Sequence, residues 1–236
     1  MADEPDEPLR LLSFLSGERG YCALVAGPAG AEALVTGGGT EVEASSAEPV
    51  ELGRAVLADG DATLELGWSP AGPMLEFGMG EVSVRAYAIA GSANGSIDAA
   101  SGPGVAWELP TSGFAAIRTV WAVTEKGDLL LLVAVRPEDA ASHEEELIGA
   151  ARIFPGAEPY GYVEPLLSTE YDGAGLHTRA TLELWAGVEE HAPERGGGLR
   201  VEGGTLDAPV GRLEAARFSW KLDGKKAIGA YEILTP

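Results

Sequence analysis

Hydrophobic residues recur at every second position over short runs of this chain, and the runs end in turn signals. Asp61–Trp68 sets Ala62, Leu64, Leu66 and Trp68 against Thr63, Glu65 and Gly67. Glu81–Ala88 opposes Val82, Val84, Ala86 and Ala88 to Glu81, Ser83, Arg85 and Tyr87. In the second half, Ala180, Leu182 and Leu184 alternate with Arg179, Thr181, Glu183 and Trp185, and Phe218, Trp220 and Leu222 with Arg217, Ser219 and Lys221. A period of two predicts strands with one buried face. Asp59-Gly60, Lys126-Gly127, Asp172-Gly173 and Asp223-Gly224 lie between such runs and predict hairpin turns. Leu129–Val135 is apolar without a break, so it is expected to be covered on both faces or to lie between two packed units.

Helix signals are few. Glu7–Leu15 reads as a short amphipathic stretch, and Pro137–Ile153 opens with Pro137, Glu138 and Asp139, which suit a helical first turn. One short helix is therefore expected in the second half. Ala-Thr-Leu-Glu-Leu occurs at 62–66 and again at 180–184, each copy after an Asp-Gly turn and before a tryptophan (Trp68, Trp185). The offset, 180 − 62 = 118, is half of the 236 residues. Together these features predict an all-β chain of two similar units, 1–110 and 111–236, divided after the Gly/Ser/Pro-rich stretch Gly91–Pro110.

Composition narrows the partners. Sixteen basic residues face 37 acidic ones, a formal net charge of −21, which repels phosphate backbones and anionic lipid headgroups; nucleic acid is not expected as a partner. With 45% apolar residues the chain can still bury a core. The single Cys22 has no intrachain partner and sits in the apolar run Tyr21–Val25, so it is expected to be a buried, inert thiol in a reducing compartment. The acidic start, MADEPDEP, lacks the basic and apolar regions of a signal peptide, and Leu129–Val135 is too short to span a bilayer. A cytoplasmic protein without a membrane span is expected. Oligomeric state has no signature in these residues.

Motif searches exclude more than they assign. No Gly-x-x-x-x-Gly-Lys-Ser/Thr loop occurs, and Gly37-Gly38-Gly39 opens no helix. His143-Glu144-Glu145-Glu146 begins like a zinc helix, but Leu147 stands where the second histidine belongs. His143, His177 and His191 are dispersed, so no metal site is expected, and no Gly-x-Ser-x-Gly elbow marks a serine nucleophile. What remains is aromatic and acidic. Trp68, Trp107, Trp121, Trp185 and Trp220 lie in or beside strands, where they either fill a core or line a pocket for an apolar ligand. Glu232 shares a strand face with Ala230 and Leu234, so it either points inward, where an apolar cavity would raise its pKa and suit it to general-acid work, or sits on a solvated edge. His177, after the Asp172-Gly173 turn, is either pocket-lining or exposed.

The segment Arg217-Phe-Ser-Trp-Lys-Leu-Asp-Gly-Lys-Lys-Ala-Ile-Gly-Ala-Tyr-Glu-Ile233 resembles the closing hairpin of two-domain lipocalin-like proteins related to bacterial carotenoid 1,2-hydratases (hydroxyneurosporene synthases). Leu167-Ser-Thr-Glu-Tyr-Asp-Gly, continuing to Trp185, is similar to a preceding hairpin of that group. The resemblance implies two tandem calycin-like β units and chemistry on unsaturated isoprenoid-like molecules without a redox cofactor. Two readings stand side by side. In one, the chain is a hydratase or cyclase in which Glu232 protonates an alkene, Trp121, Trp220 and Tyr231 stabilise the cation, and Arg118 orients a polar group. In the other, the same cavity, with Tyr171 and His177 among its walls, binds a hydrophobic small molecule and does nothing further. Both require a water-poor hollow between the inward faces.

Overall fold

The computed structural model describes residues 7–16, 20–37, 40–47, 50, 53–95, 99–142, 145–187 and 192–236. The first eight strands are β1 (Leu9–Ser16), β2 (Gly20–Gly27), β3 (Gly30–Gly37), β4 (Thr40–Ser46), β5 (Arg54–Asp59), β6 (Ala62–Met79), β7 (Val82–Gly95) and β8 (Ala100–Leu109). Each pairs antiparallel with the next, and β8 returns to β1 through Leu9↔Leu109 to Phe14↔Gly104, closing a barrel. Among the described residues β4 and β5 are joined by the single pair Ser45↔Ala58. Leu12, Phe14, Leu24, Leu57, Leu64, Leu66 and Trp68 fill the inside together with small residues such as Ala33, Ala44 and Ala55. An eight-stranded barrel has an interior about the width of its own side chains.

The remaining strands are β9 (Phe114–Thr124), β10 (Leu129–Pro137), β11 (Leu147–Ile153), β12 (Tyr160–Gly161), β13 (Leu166–Tyr171), β14 (His177–Leu184), β15 (Glu194–Ala208), β16 (Gly211–Leu222) and β17 (Lys225–Thr235). They form one antiparallel sheet in the order β12-β11-β10-β9-β17-β16-β15-β14-β13. The last strand again pairs with the first, Tyr231 of β17 lying opposite Val120 of β9. The sheet curls like the first barrel but stays unpaired between β12 and β13. That is the fourth-to-fifth-strand seam, the same place where, among the described residues, the first barrel is held by one residue pair. The chain is thus all-β, with two barrel-like antiparallel units of the lipocalin-like kind.

The four Gly-containing turns are hairpins, as their sequences predict. At the β16–β17 turn both Asp223 (φ 47°) and Gly224 (φ 82°) are left-handed, the condition for a two-residue turn whose twist matches its strands. The repeated pentapeptide falls in the sixth strand of each unit, β6 and β14, with its leucines facing inward. The tryptophans after it diverge: Trp68 is buried, but Trp185 comes one residue earlier in register and is exposed. Ala62, expected on the buried face, is exposed at the start of β6.

The helix expectations fail, and among the described residues there is no α-helix. Glu7–Leu15 contains β1, whose apolar residues serve both faces: Leu12 and Phe14 point into the first barrel, and Leu9, Leu11 and Leu15 out against the second unit. Two-sided burial imitates helical amphipathicity. In Pro137–Ile153, Pro137 ends β10 at a register shift after Arg136, and Leu147–Ile153 returns antiparallel along β10. Gly149, a poor helix residue, is wanted there because a Cβ would lie 2.9 Å from the Phe77 ring.

Three apolar layers result. One fills each unit, and the third joins them, with Leu11, Val25, Val84, Val105 and Trp107 on one side and Trp121, Leu131, Val133, Leu213 and Ala230 on the other. The uninterrupted run Leu129–Val135 is the expected doubly covered strand. Its odd residues enter the joining layer, and Leu130 and Leu132 enter the core of the second unit. Among the described residues no helix is long and apolar enough to cross a membrane.

Candidate functional site

The unpaired seam of the second unit is plugged at one end. There Tyr160 donates to the carbonyl of Ala186 (2.5 Å), Val163 N to that of Trp185 (2.9 Å), and Tyr162 to Glu194 (3.0 Å), while Arg152 is ion-paired with Glu194. Above this plug, Trp220, Phe218, Leu182, Leu130 and Leu132 fill the bore. Gly198 makes that packing possible, because a Cβ there would lie 2.6 Å from the Trp220 ring. Toward the other end the seam gapes into a cavity of about 1,070 Å³. Ile148, Leu167 and Ile233 give it an apolar wall, and Arg118, Glu146, Thr169 and Glu214 bring polar atoms. Mixed walls of this kind at a barrel mouth are the usual setting of a small-molecule site.

Arg118 of β9 is central to the polar part. Its guanidinium is ion-paired with Glu146, just before β11, and donates to Thr169 Oγ1 of β13 (3.1 Å) and to the Tyr231 hydroxyl of β17 (3.4 Å). It therefore bridges the two lips of the seam. The Thr169 and Tyr231 hydroxyls are 2.5 Å apart. Burial disfavours the Arg118 charge, but Tyr231 and Glu146 more than compensate, and its pKa is raised. Burial pushes the Tyr231 phenol up to about 12 despite the nearby guanidinium, so it stays protonated and available as a hydrogen-bond donor. Arg118 and Thr169 line the cavity and can donate to an oxygen atom of a bound molecule, while the fully buried Tyr231 hydroxyl holds them from behind.

A second group stands beside it. At the end of the β13–β14 pair, Tyr171 lies opposite His177 but Glu170 opposite Arg179, leaving Thr178 as an extra residue. Bulges of this type re-aim side chains. Here the bulge turns His177 into the bore, where it is fully buried and its ring lies parallel to Phe218 at 5.3 Å. Its Nε2 faces the Tyr231 carbonyl (2.9 Å) and its Nδ1 the Glu214 carboxylate (2.6 Å). Arg200 Nη1 (2.9 Å) and the His177 backbone N–H (2.8 Å) donate to Glu214 Oε1. Burial raises the Glu214 pKa, but His177 and Arg200 outweigh it and hold the carboxyl below its usual range.

The residues singled out in the sequence are divided between two places. Arg118 and Tyr171 line the cavity, with Tyr231 bonded to its donors and His177 behind Glu214. Trp220 is packed in the core beneath. Glu232 and Trp121 do not join them. Alternation along β17 sends Tyr231 into the second unit and Glu232 to the opposite face, so the inward direction expected for Glu232 leads into the layer joining the units. There it is fully buried, accepting from Tyr21 (2.8 Å) and Thr119 (2.8 Å), and Trp121 Nε1 donates to the adjoining Ser13 (2.7 Å). Burial raises its pKa to about 7, while the hydrogen bonds from Ser13, Thr119 and Tyr21 oppose the rise.

Sequence reasoning missed Glu146, Thr169, Arg200 and Glu214. The inward parity of Glu214 with Phe218 and Trp220 was a usable signal; the other three depend on how the sheet curls. Cys22 is buried as expected. His143 and His191 lie outside the described residues. Among the described residues no group of three or more His, Cys, Asp or Glu side chains is placed to hold a metal ion.

No protein-family model matches this sequence, and no curated protein matches it. Solved structures do match in fold. An AttH candidate from Nitrosomonas europaea superposes with a TM-score of 0.63 at 12% identity, over 97% of this chain and 92% of that one. Kievitone hydratase from Nectria haematococca gives 0.65 at 9% identity, over 97% and 89%. The protein CghA gives 0.56 at 11% identity, over 99% and 90%. At such identities the likeness is one of architecture, and this chain shares with these proteins an all-β fold of two consecutive barrel-like units.

Proposed function

We propose that the chain is a cofactor-independent enzyme of the hydratase or cyclase type, acting on a hydrophobic unsaturated small molecule in the cavity of the second unit. The observation that carries this reading is the convergence of Arg118 and Thr169, with the buried Tyr231 hydroxyl bonded behind them, on a hollow whose other wall is Ile148, Leu167 and Ile233. An apolar substrate body packs on that wall, and a carbonyl or phenolic oxygen meets the donors. Negative charge developing on that oxygen is stabilised by groups already in place, a term that commonly amounts to about a hundredfold or more in rate. Kievitone hydratase, among the proteins of the same fold, supports the reaction class, and the hairpin resemblance supports isoprenoid-like substrates. The division into units 1–110 and 111–236 and a cytoplasmic location belong to the same reading.

The test is turnover of a panel of unsaturated terpenoids and polyketides by the wild type and by Thr169→Val, with circular dichroism to confirm the fold. A rate loss of about a hundredfold in Thr169→Val is expected. Equal rates in both proteins, or no turnover across the panel, would refute the reading. The second reading, a non-catalytic carrier, is favoured by one observation: Glu232 is turned away from the cavity. Native mass spectrometry that recovers a bound apolar molecule unchanged, with no turnover, would select it.

A further inference from the structure

We infer that Glu214, positioned by His177 and Arg200, is the acid–base residue of this cavity and that its substrate is an uncharged α,β-unsaturated carbonyl compound; this rests on the enzymatic reading above. Three observations point the same way. Glu214 lines the cavity on the same inward face of β16 as Phe218 and Trp220, and so presents a carboxylate to the hollow. The β14 bulge is spent on bringing His177 behind it, which a regular strand would not do. The His177 backbone N–H donates to Glu214 Oε1 (2.8 Å) and its ring Nδ1 lies 2.6 Å from the same carboxylate, so His177 fixes Glu214 in the cavity wall through both its main chain and its ring.

The charges select a neutral substrate. Arg118 is already neutralised by Glu146, and Arg200 by Glu214, so neither guanidinium is left over for an anion. What the cavity offers an oxygen is hydrogen bonds. With a carbonyl held by Arg118 and Thr169, Glu214 takes a proton from water as the water oxygen bonds to the β-carbon. The C=C electron pair shifts and the carbonyl oxygen becomes an enolate oxygen. Protonated Glu214 returns that proton to the α-carbon and the carbonyl re-forms. The net change is addition of one water.

The groups facing Glu214 are His177 on β14, Arg200 on β15 and Tyr171 on β13, with Arg118 and Glu146 across the cavity. The experiment uses uncharged enones, benzalacetone first, beside unsaturated terpenoids without a carbonyl, in ¹⁸O-labelled water. Wild-type protein should incorporate label into enones and not into carbonyl-free terpenoids. Glu214→Gln should lower kcat at least a hundredfold with KM little changed, and Glu214→Asp should keep part of the rate. His177→Gln should move the acid limb of the pH–rate profile upward, an effect that a purely structural role would not produce. Should Glu214→Gln fail to fold, Glu214→Asp and the His177→Gln profile carry the decision. Full activity in Glu214→Gln, or no movement of the acid limb, overturns the inference alone. Hydration confined to carbonyl-free terpenoids overturns the substrate class, and no turnover of any compound removes the reading beneath it.

Discussion

Replacing Glu232 by glutamine isolates the effect of one buried carboxyl on the whole molecule. The side chain is fully enclosed between the units, and desolvation lifts its pKa from 4.5 to about 7 against the pull of its hydrogen bonds. The folded protein therefore keeps a proton that the unfolded chain has released at intermediate pH. Stability from this group is fully present below the unfolded value of 4.5, falls as pH rises, and is lost above about 7. At about 1.4 kcal/mol per pH unit, the window from 4.5 to about 7 corresponds to about 3 kcal/mol. Glutamine resembles the protonated acid and titrates nowhere in this range. Urea unfolding of both proteins at several pH values between 4 and 8 should show the wild type losing ~3 kcal/mol relative to Glu232→Gln. The remaining carboxylates are common to both proteins and cancel in the difference. Parallel stability profiles would refute the reasoning, because they would mean that Glu232 does not hold its proton in the folded state.

Other outcomes follow from the packing. Arg118→Met should destabilise by about 3 kcal/mol because it leaves Glu146 buried without its partner, and Arg118→Met combined with Glu146→Leu should recover much of that loss in urea titrations. Gly198→Ala should cost about 1–3 kcal/mol, since its Cβ would sit 2.6 Å from the Trp220 ring, and Trp220→Leu in the same chain should relieve the clash, as read from melting temperatures. Cys22 is fully buried, and burial raises its thiol pKa, so a maleimide should label it only in denaturant; labelling of the native protein at the same rate would contradict its placement.

The fold was legible to the extent that it depends on alternation and turns. Leu64, Leu66, Val84, Leu182 and Phe218 all point as period two requires, and each Asp-Gly or Lys-Gly pair makes its hairpin. Misreading began where a strand is buried on both faces. Leu9–Leu15 is apolar at odd and even positions alike, which no single-faced template recognises. The site was less legible for a related reason. Parity correctly told that Glu232 shares a face with Ala230 and Leu234, but in a molecule of three layers an inward face can lead to a cavity or to a neighbour. The bulge that turns His177 and the gap between β12 and β13 arise from how strands meet, which is not written in any one of them.

The doubly covered strand has a consequence for how such a tandem can be taken apart. Because Leu129–Val135 serves the second unit with one face and its neighbour with the other, cutting the chain between the units would bare a broad oily slab on each fragment. The halves are architecturally repeated but are not interchangeable beads on a string. They must be made together, and insertions that pry them apart should be tolerated far less than insertions at the outer hairpins.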